Sequence, residues 1–261
     1  MNDRIHSSLV IPEEDAATTA LRLMMRHTPA RIGLGRSGVS MPTAEILRFG
    51  ISHARARDAV HLPLDVEALA GDLQASGLPV IRATSRAEDR QAYLARPDLG
   101  RQLSEASAAH LREACAPSGI VVVVADGLSS IAVQRHALPV ICRLRAALGE
   151  LWQDAAVVIV EQGRVAVGDE IGEALRARLV VMLIGERPGL SSPDSLGIYM
   201  TYAPRRGLAD NARNCISNVR PEGLGYDEAV VKLAYLARRA LKLGFSGVAL
   251  KDDSDRLTIE D

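Results

Sequence analysis

Two short polar stretches stand directly behind apolar runs, and each could place chemistry at the end of a strand. Gly185-Glu186-Arg187-Pro188-Gly189-Leu190 follows the run ending at Ile184. Glu186 can accept hydrogen bonds from a ligand amide, while Pro188 and Gly189 oppose helix and favour a rigid turn. The competing reading is a solvated Glu186–Arg187 loop that holds no ligand. Asp126-Gly127-Leu128-Ser129-Ser130 follows the most apolar run in the chain. Ligands of open α/β sheets bind outside the carboxyl ends of strands, so polar contact from Asp126, Ser129 or the next helix N-terminus is one reading. The other is a turn in which Ser129 or Ser130 caps that helix. The residues alone favour neither, and no GxSxG elbow is present.

Other candidates carry less. Gly33-Leu34-Gly35-Arg36-Ser37-Gly38 matches GxGxxG literally, but a dinucleotide fingerprint needs a buried strand before it and a helix opening at its end. Residues Arg26 to Arg31 cannot form that strand, and Pro42 delays the helix. A tight glycine loop is the better reading, and a nucleotide-binding oxidoreductase the poorer one. The six histidines show neither HExxH nor HxH spacing; His110 and His136 fall in helical segments as packing or surface residues. Cys115, Cys142 and Cys215 form no CxxC pair, and each reads as a small buried hydrophobe.

The elements that must position these residues follow from periodicity. Ile120–Ala125, Ala156–Val160 and Leu179–Ile184 are apolar at nearly every position and rich in β-branched residues. Such runs suit strands buried on both faces. Helical patterns separate them: Leu103–Cys115, Ser130–Leu148 with Pro139 breaking or restarting it, and a turn or two over Asp169–Arg176. The alternation predicts a parallel αβα sandwich. Helices are also expected around Glu14–Arg26, from Pro42 through Leu47, Ile51 and Ala54, and over Val66–Ala75. The last helix carries the stripe Val230, Leu233, Ala237 and Leu241, with acidic residues at its start, basic residues at its end and Gly244 as its C′ residue.

Composition narrows the function. A chain of 261 residues that is 48% hydrophobic can build a sizeable core. A net charge of −1 argues against coating a nucleic-acid duplex. The N-terminus lacks a signal-peptide apolar region, and no run approaches the roughly 20 residues of a membrane span, so a soluble intracellular protein is expected.

Five separated blocks, in order, resemble the small subunit of ethanolamine ammonia-lyase: Arg31–Asp58, Tyr93-Leu94-Ala95-Arg96-Pro97-Asp98-Leu99-Gly100-Arg101, Asp126–Ser129, Gly185–Leu190 and Asn214-Cys215-Ile216-Ser217-Asn218. The likeness runs from about Arg31 to Gly247. It implies an adenosylcobalamin enzyme that converts ethanolamine to acetaldehyde and ammonia by radical elimination, as a hetero-oligomer with a large subunit built as a TIM barrel. On that resemblance Val165, Glu186 and Cys215 are cofactor contacts, which gives Cys215 a role its residue type alone did not suggest. No catalytic residue and no metal ligand is expected on this chain. DxHxxG, the motif by which other cobalamin proteins supply an axial His, is absent; the cofactor is expected base-on, with no protein axial ligand. The expected organisation is an N-terminal extension over residues 1–30, a helical partner-docking region over 31–78, and a Rossmann-like parallel sheet with flanking helices over 79–261 that holds the cobalamin. The location implied is the cytoplasm or a bacterial microcompartment. The competing reading is an assembly subunit that does not touch the cofactor.

Overall fold

The computed structural model describes residues 16–28, 30–114 and 119–254; Glu14 and Cys115 lie outside them. The chain divides into two compact units, Met1–Ser52 and His53–Asp261. In the first, helix α1 (Ala16–Met25) precedes a loop in which Gly33, Gly35 and Gly38 all take positive φ. The GxGxxG match is therefore a glycine loop behind a helix, and among the described residues no strand leads into it. Helix α2 (Thr43–His61) opens one residue after Pro42, where a missing N–H costs nothing.

The second unit carries the core. Its elements are α3 (Val66–Ala75), β1 (Val80–Thr84), α4 (Arg90–Ala95), α5 (Glu105–Glu113), β2 (Ile120–Ala125), α6 (Ser130–Leu148), β3 (Ala156–Glu161), α7 (Val167–Ala174), β4 (Leu179–Gly185), β5 (Leu196–Tyr202), β6 (Arg213–Val219) and α8 (Tyr226–Leu243). Pro139 does not break α6, which runs through it as one helix. Gly244 ends α8 in the left-handed conformation at φ 80°.

The six strands form one sheet in the order β1-β3-β2-β4-β5-β6. Four of them, β1, β3, β2 and β4, pair parallel, whereas β5 and β6 join antiparallel. The expectation of an all-parallel sheet is thus corrected to a mixed α/β sheet. The physical reason is the connection: only the irregular segment between Gly185 and Leu196 joins β4 to β5, and a parallel return needs a crossover, usually a helix.

The continuous apolar strands are explained by two-sided burial. In β2, Ile120, Val122 and Val124 pack in one layer with α3, α6 and α8, while Val121, Val123 and Ala125 pack in the other with α5 and α7. Strands β5 and β6 lie toward one edge, where α7 reaches Arg213 at the start of β6 through Asp169. Leu196, Ile198, Met200 and Ile216 join the α6/α8 layer. Tyr199 and Cys215, paired in register, belong to the opposite face. Hairpins bring no helices with them, so on that face α7 covers Arg213 through Asp169 while Cys215 stays exposed.

Candidate functional site

From β2 the chain passes through α6 to β3 on one side, then through α7 back to β4 on the other. The carboxyl ends of β2 and β4 therefore form the topological switch point, where open α/β sheets leave a crevice. Backbone there is packed too closely for side chains. A Cβ on Gly127 would sit 2.3 Å from the Gly185 carbonyl oxygen, and one on Gly185 would sit 2.0 Å from the Ser129 carbonyl oxygen. Leu128 N–H donates to the Gly185 carbonyl at 2.9 Å, joining the two loops.

A cleft of about 320 Å³ opens at this point. Leu128, Val165, Ala166 and Ile184 supply apolar wall; Tyr93, Arg101, Arg164, Glu186, Tyr199, Arg213 and Cys215 supply polar wall. Val165, Glu186 and Cys215 come from the segments after β3 and β4 and from β6, and the fold gathers all three on this one cleft.

Each is positioned by a different device. Val165 lies in the short segment ahead of α7, whose entry is fixed by Val167 N–H donating to the Arg164 carbonyl at 2.9 Å. Glu186 accepts at Oε2 from the Ser195 hydroxyl and, at 3.2 Å, from the Asn218 N–H. That N–H is presented by an irregularity in the β5–β6 register, with Asn218 at φ 60°. Oε1 receives no donor among the described residues, so half of the carboxylate can still take a ligand amide. Cys215 is exposed, which corrects its reading as a buried hydrophobe; Cys142 is exposed too. The Cys215 Sγ lies 3.3 Å from the Ser217 hydroxyl. Burial pushes the neighbouring Tyr199 hydroxyl well up, and Cys215 and Glu186 push it further.

Asp126 and Ser129 resolve toward structure. Asp126 is buried and accepts N–H groups from Gly127, Gln162 and Gly163 at 3.0, 3.1 and 3.0 Å. Arg90 reaches it at 3.4 Å and donates to the Gly127 carbonyl at 2.8 Å. Burial pushes the Asp126 carboxyl up to about 6, against the pull of Arg90 and those N–H groups. Ser129 caps α6 and donates to the Pro193 carbonyl at 2.8 Å; Ser130 donates to the Leu62 carbonyl. These groups are occupied within the protein, and from this stretch only Gly127 and Leu128 line the cleft.

Three further ion pairs, on two carboxylates, hold the elements around the cleft. Arg213 grips Asp169 of α7 bidentately at 3.0 and 2.9 Å, with both side chains buried. Burial pushes the Asp169 carboxyl up to about 6 even with Arg213 beside it. Asp194, in the β4–β5 connection, binds Arg135 at 2.8 Å and Arg220 at 3.0 Å. Burial alone would raise its carboxyl, but those hydrogen bonds hold it below the usual range. Sequence reading missed Arg90, Asp169 and Arg213, because partners 36 and 44 residues apart leave no local pattern. Tyr93 stood in a resembling block, yet its place on the cleft had no signal in its spacing. No cluster of His, Cys, Asp and Glu among the described residues could hold a metal ion. Nor is any helix among them long and apolar enough to cross a membrane.

Comparison with known proteins agrees in one direction. The family described as "Ethanolamine ammonia-lyase light chain (EutC)" matches residues 18–251, so the likeness begins ahead of Arg31. A protein of Azotobacter vinelandii named ethanolamine ammonia-lyase small subunit is 57% identical over 237 residues, 89% of this chain and 88% of its own length. The protein of that name from Ralstonia nicotianae is 58% identical over 237 residues, again 89% and 88%. That from Pseudomonas paraeruginosa is 57% identical over 255 residues, 96% of this chain and 93% of its own.

Proposed function

The chain belongs to the ethanolamine ammonia-lyase small-subunit family, and from that premise we propose that it holds adenosylcobalamin against the family's large, TIM-barrel subunit in a hetero-oligomer. The observation that carries the proposal is the convergence of Val165, Glu186 and Cys215 on one switch-point cleft. The cofactor, when bound, supplies homolysis of its cobalt–carbon bond and hence the radical that starts conversion of ethanolamine to acetaldehyde and ammonia.

The residues fit the lower face of such a group. A corrin is broad, apolar across its ring and edged with amides, so a half-clamp needs apolar wall and a few aimed acceptors. Val165, with Leu128 and Ile184, offers the wall. Glu186 offers Oε1 to an amide N–H while Ser195 and Asn218 keep the carboxylate still. Cys215 packs its thiol on the open face of β6. The chain's task would be to orient the group and exclude water; catalytic side chains are assigned to the partner, and no residue of this chain is assigned to cobalt. Residues 79–261 form the cobalamin domain, residues 31–78 dock the partner, and residues 1–30 form an extension. We place the complex in the cytoplasm or within a protein-shelled microcompartment.

The test is reconstitution. Large subunit, adenosylcobalamin and this chain are mixed, and ammonia release and cobalamin affinity are measured. Release that is equally fast without this chain would end the proposal. Glu186→Ala combined with Val165→Asp separates it from pure scaffolding: affinity for cobalamin drops in an intact complex, whereas an assembly subunit would leave it unchanged.

A further inference from the structure

Arginines reach the cleft from several directions, and their counter-ions differ. Arg213 is neutralised by Asp169 at 2.9 Å, and Arg90, packed behind the wall, meets Asp126 at 3.4 Å. Arg164 lines the cleft, is half-buried and has no ion-pair partner among the described residues. Its Nη2 donates to the Tyr93 carbonyl at 3.1 Å, its guanidinium carbon lies 4.5 Å from the Tyr93 ring centroid, and its Nε is buried without a hydrogen-bond partner. Its backbone is fixed as well, with Arg164 N–H donating to the Gly100 carbonyl at 2.8 Å. A guanidinium held this firmly, partly out of water and without a carboxylate, is unfavourable unless an anion completes it. Arg101 lines the same cleft, is exposed, and also has no ion-pair partner among the described residues.

We propose that Arg164, assisted by Arg101, binds the phosphodiester of the cofactor's nucleotide loop. This rests on the corrinoid reading above. The amides around a corrin are neutral, and the anionic group of base-on cobalamin is the phosphodiester that links its lower base to the ring. If the cofactor's lower face meets this chain, as the reading above has it, the phosphodiester would fall on this chain's side. Arginine suits it because a planar fork of donors matches phosphate oxygens two at a time.

The experiment titrates the complex of this chain with the large subunit against two corrinoids, cyanocobalamin and dicyanocobinamide, following the corrin absorbance. The second lacks the nucleotide loop and its phosphate. Arg164→Met should weaken cyanocobalamin binding roughly 10- to 100-fold, the range for losing a charge-assisted hydrogen bond, and leave dicyanocobinamide within about twofold. Arg164→Lys and Arg101→Ala should move affinity the same way by less, and they carry the test should Arg164→Met fail to assemble. Equal loss for both corrinoids, or unchanged cyanocobalamin affinity, overturns the phosphate assignment. A wild-type complex that binds neither corrinoid overturns the underlying reading instead.

Discussion

The two compact units solve the same problem, what to do with apolar side chains, in opposite ways. In the unit His53–Asp261, strands β2, β3 and β4 are sealed between two helical layers, and buried charges such as Arg213 and Asp169 face each other. In the unit Met1–Ser52, no described residue enters the buried core. Nine of the fourteen large hydrophobic residues exposed among the described residues lie between Leu23 and Ile51, with Ile46 51%, Leu47 62% and Phe49 42% exposed on α2. A helix with apolar residues open in several directions is built to be covered. One unit owns its interior; the other leaves its apolar side chains exposed.

That contrast can be broken most severely at the switch point. Gly185→Val drives a side chain into the Ser129 and Asp126 carbonyls and should cost more than about 4 kcal/mol, seen as loss of a cooperative thermal transition. Next comes Arg213→Met, which strands the buried Asp169 carboxylate and should cost roughly 3–5 kcal/mol in urea unfolding. Pairing it with Asp169→Leu should recover most of that loss, since burying neither charge is cheaper than burying one.

A gentler probe is pH. Asp126 and Asp169 both have carboxyls raised in the folded state to about 6. A raised group stabilises fully below its unfolded value near 3.8, and that contribution is lost as pH climbs through 6. Their share of stability should therefore fall between about pH 4 and pH 6.5. His136, whose lowered value comes chiefly from burial, works in the opposite direction, favouring the fold as pH rises. Unfolding free energies across that range should slope less steeply downward in Asp126→Asn than in the parent, and equal slopes would reject the assignment. The smallest effect belongs to the other unit. Ile46→Ser or Phe49→Ser should change stability of the isolated chain by less than about 0.5 kcal/mol, yet weaken capture of the large subunit in a pull-down titration. A large stability loss instead would mean that these side chains already have an interior.

Much of the central architecture could be read from residue order. Ile120–Ala125 and Leu179–Ile184 are strands because burial on both faces demands unbroken apolar runs. The edges obey weaker rules. In β1, Arg82 and Thr84 face water; in β6, Cys215 and Ser217 are exposed on one face, while Asn214 on the other donates to the Gly247 and Leu250 carbonyls. One-sided burial dilutes the apolar signal in β1 and β6, and β5 interleaves Gly197, Tyr199 and Thr201 with its apolar residues, so none of the three stood out, nor did the antiparallel turn-back. The same dilution explains Cys215: a cysteine reads as core until its side of the strand proves to be exposed. Glu186 was legible by its place after a strand. The groups that steady it, Ser195 and the Asn218 N–H, depend on a register irregularity that no local pattern announces.

Gly127 and Gly185 bear on thermodynamics as well as packing. A side chain on Gly127 would strike the Gly185 backbone and one on Gly185 the Ser129 and Asp126 carbonyls, so the loops above β2 and β4 are packed as a single wedge. A surface already frozen in this way has little motion left to surrender when something settles on it, and occupancy of the cleft should draw its ordering cost from the guest and not from the host.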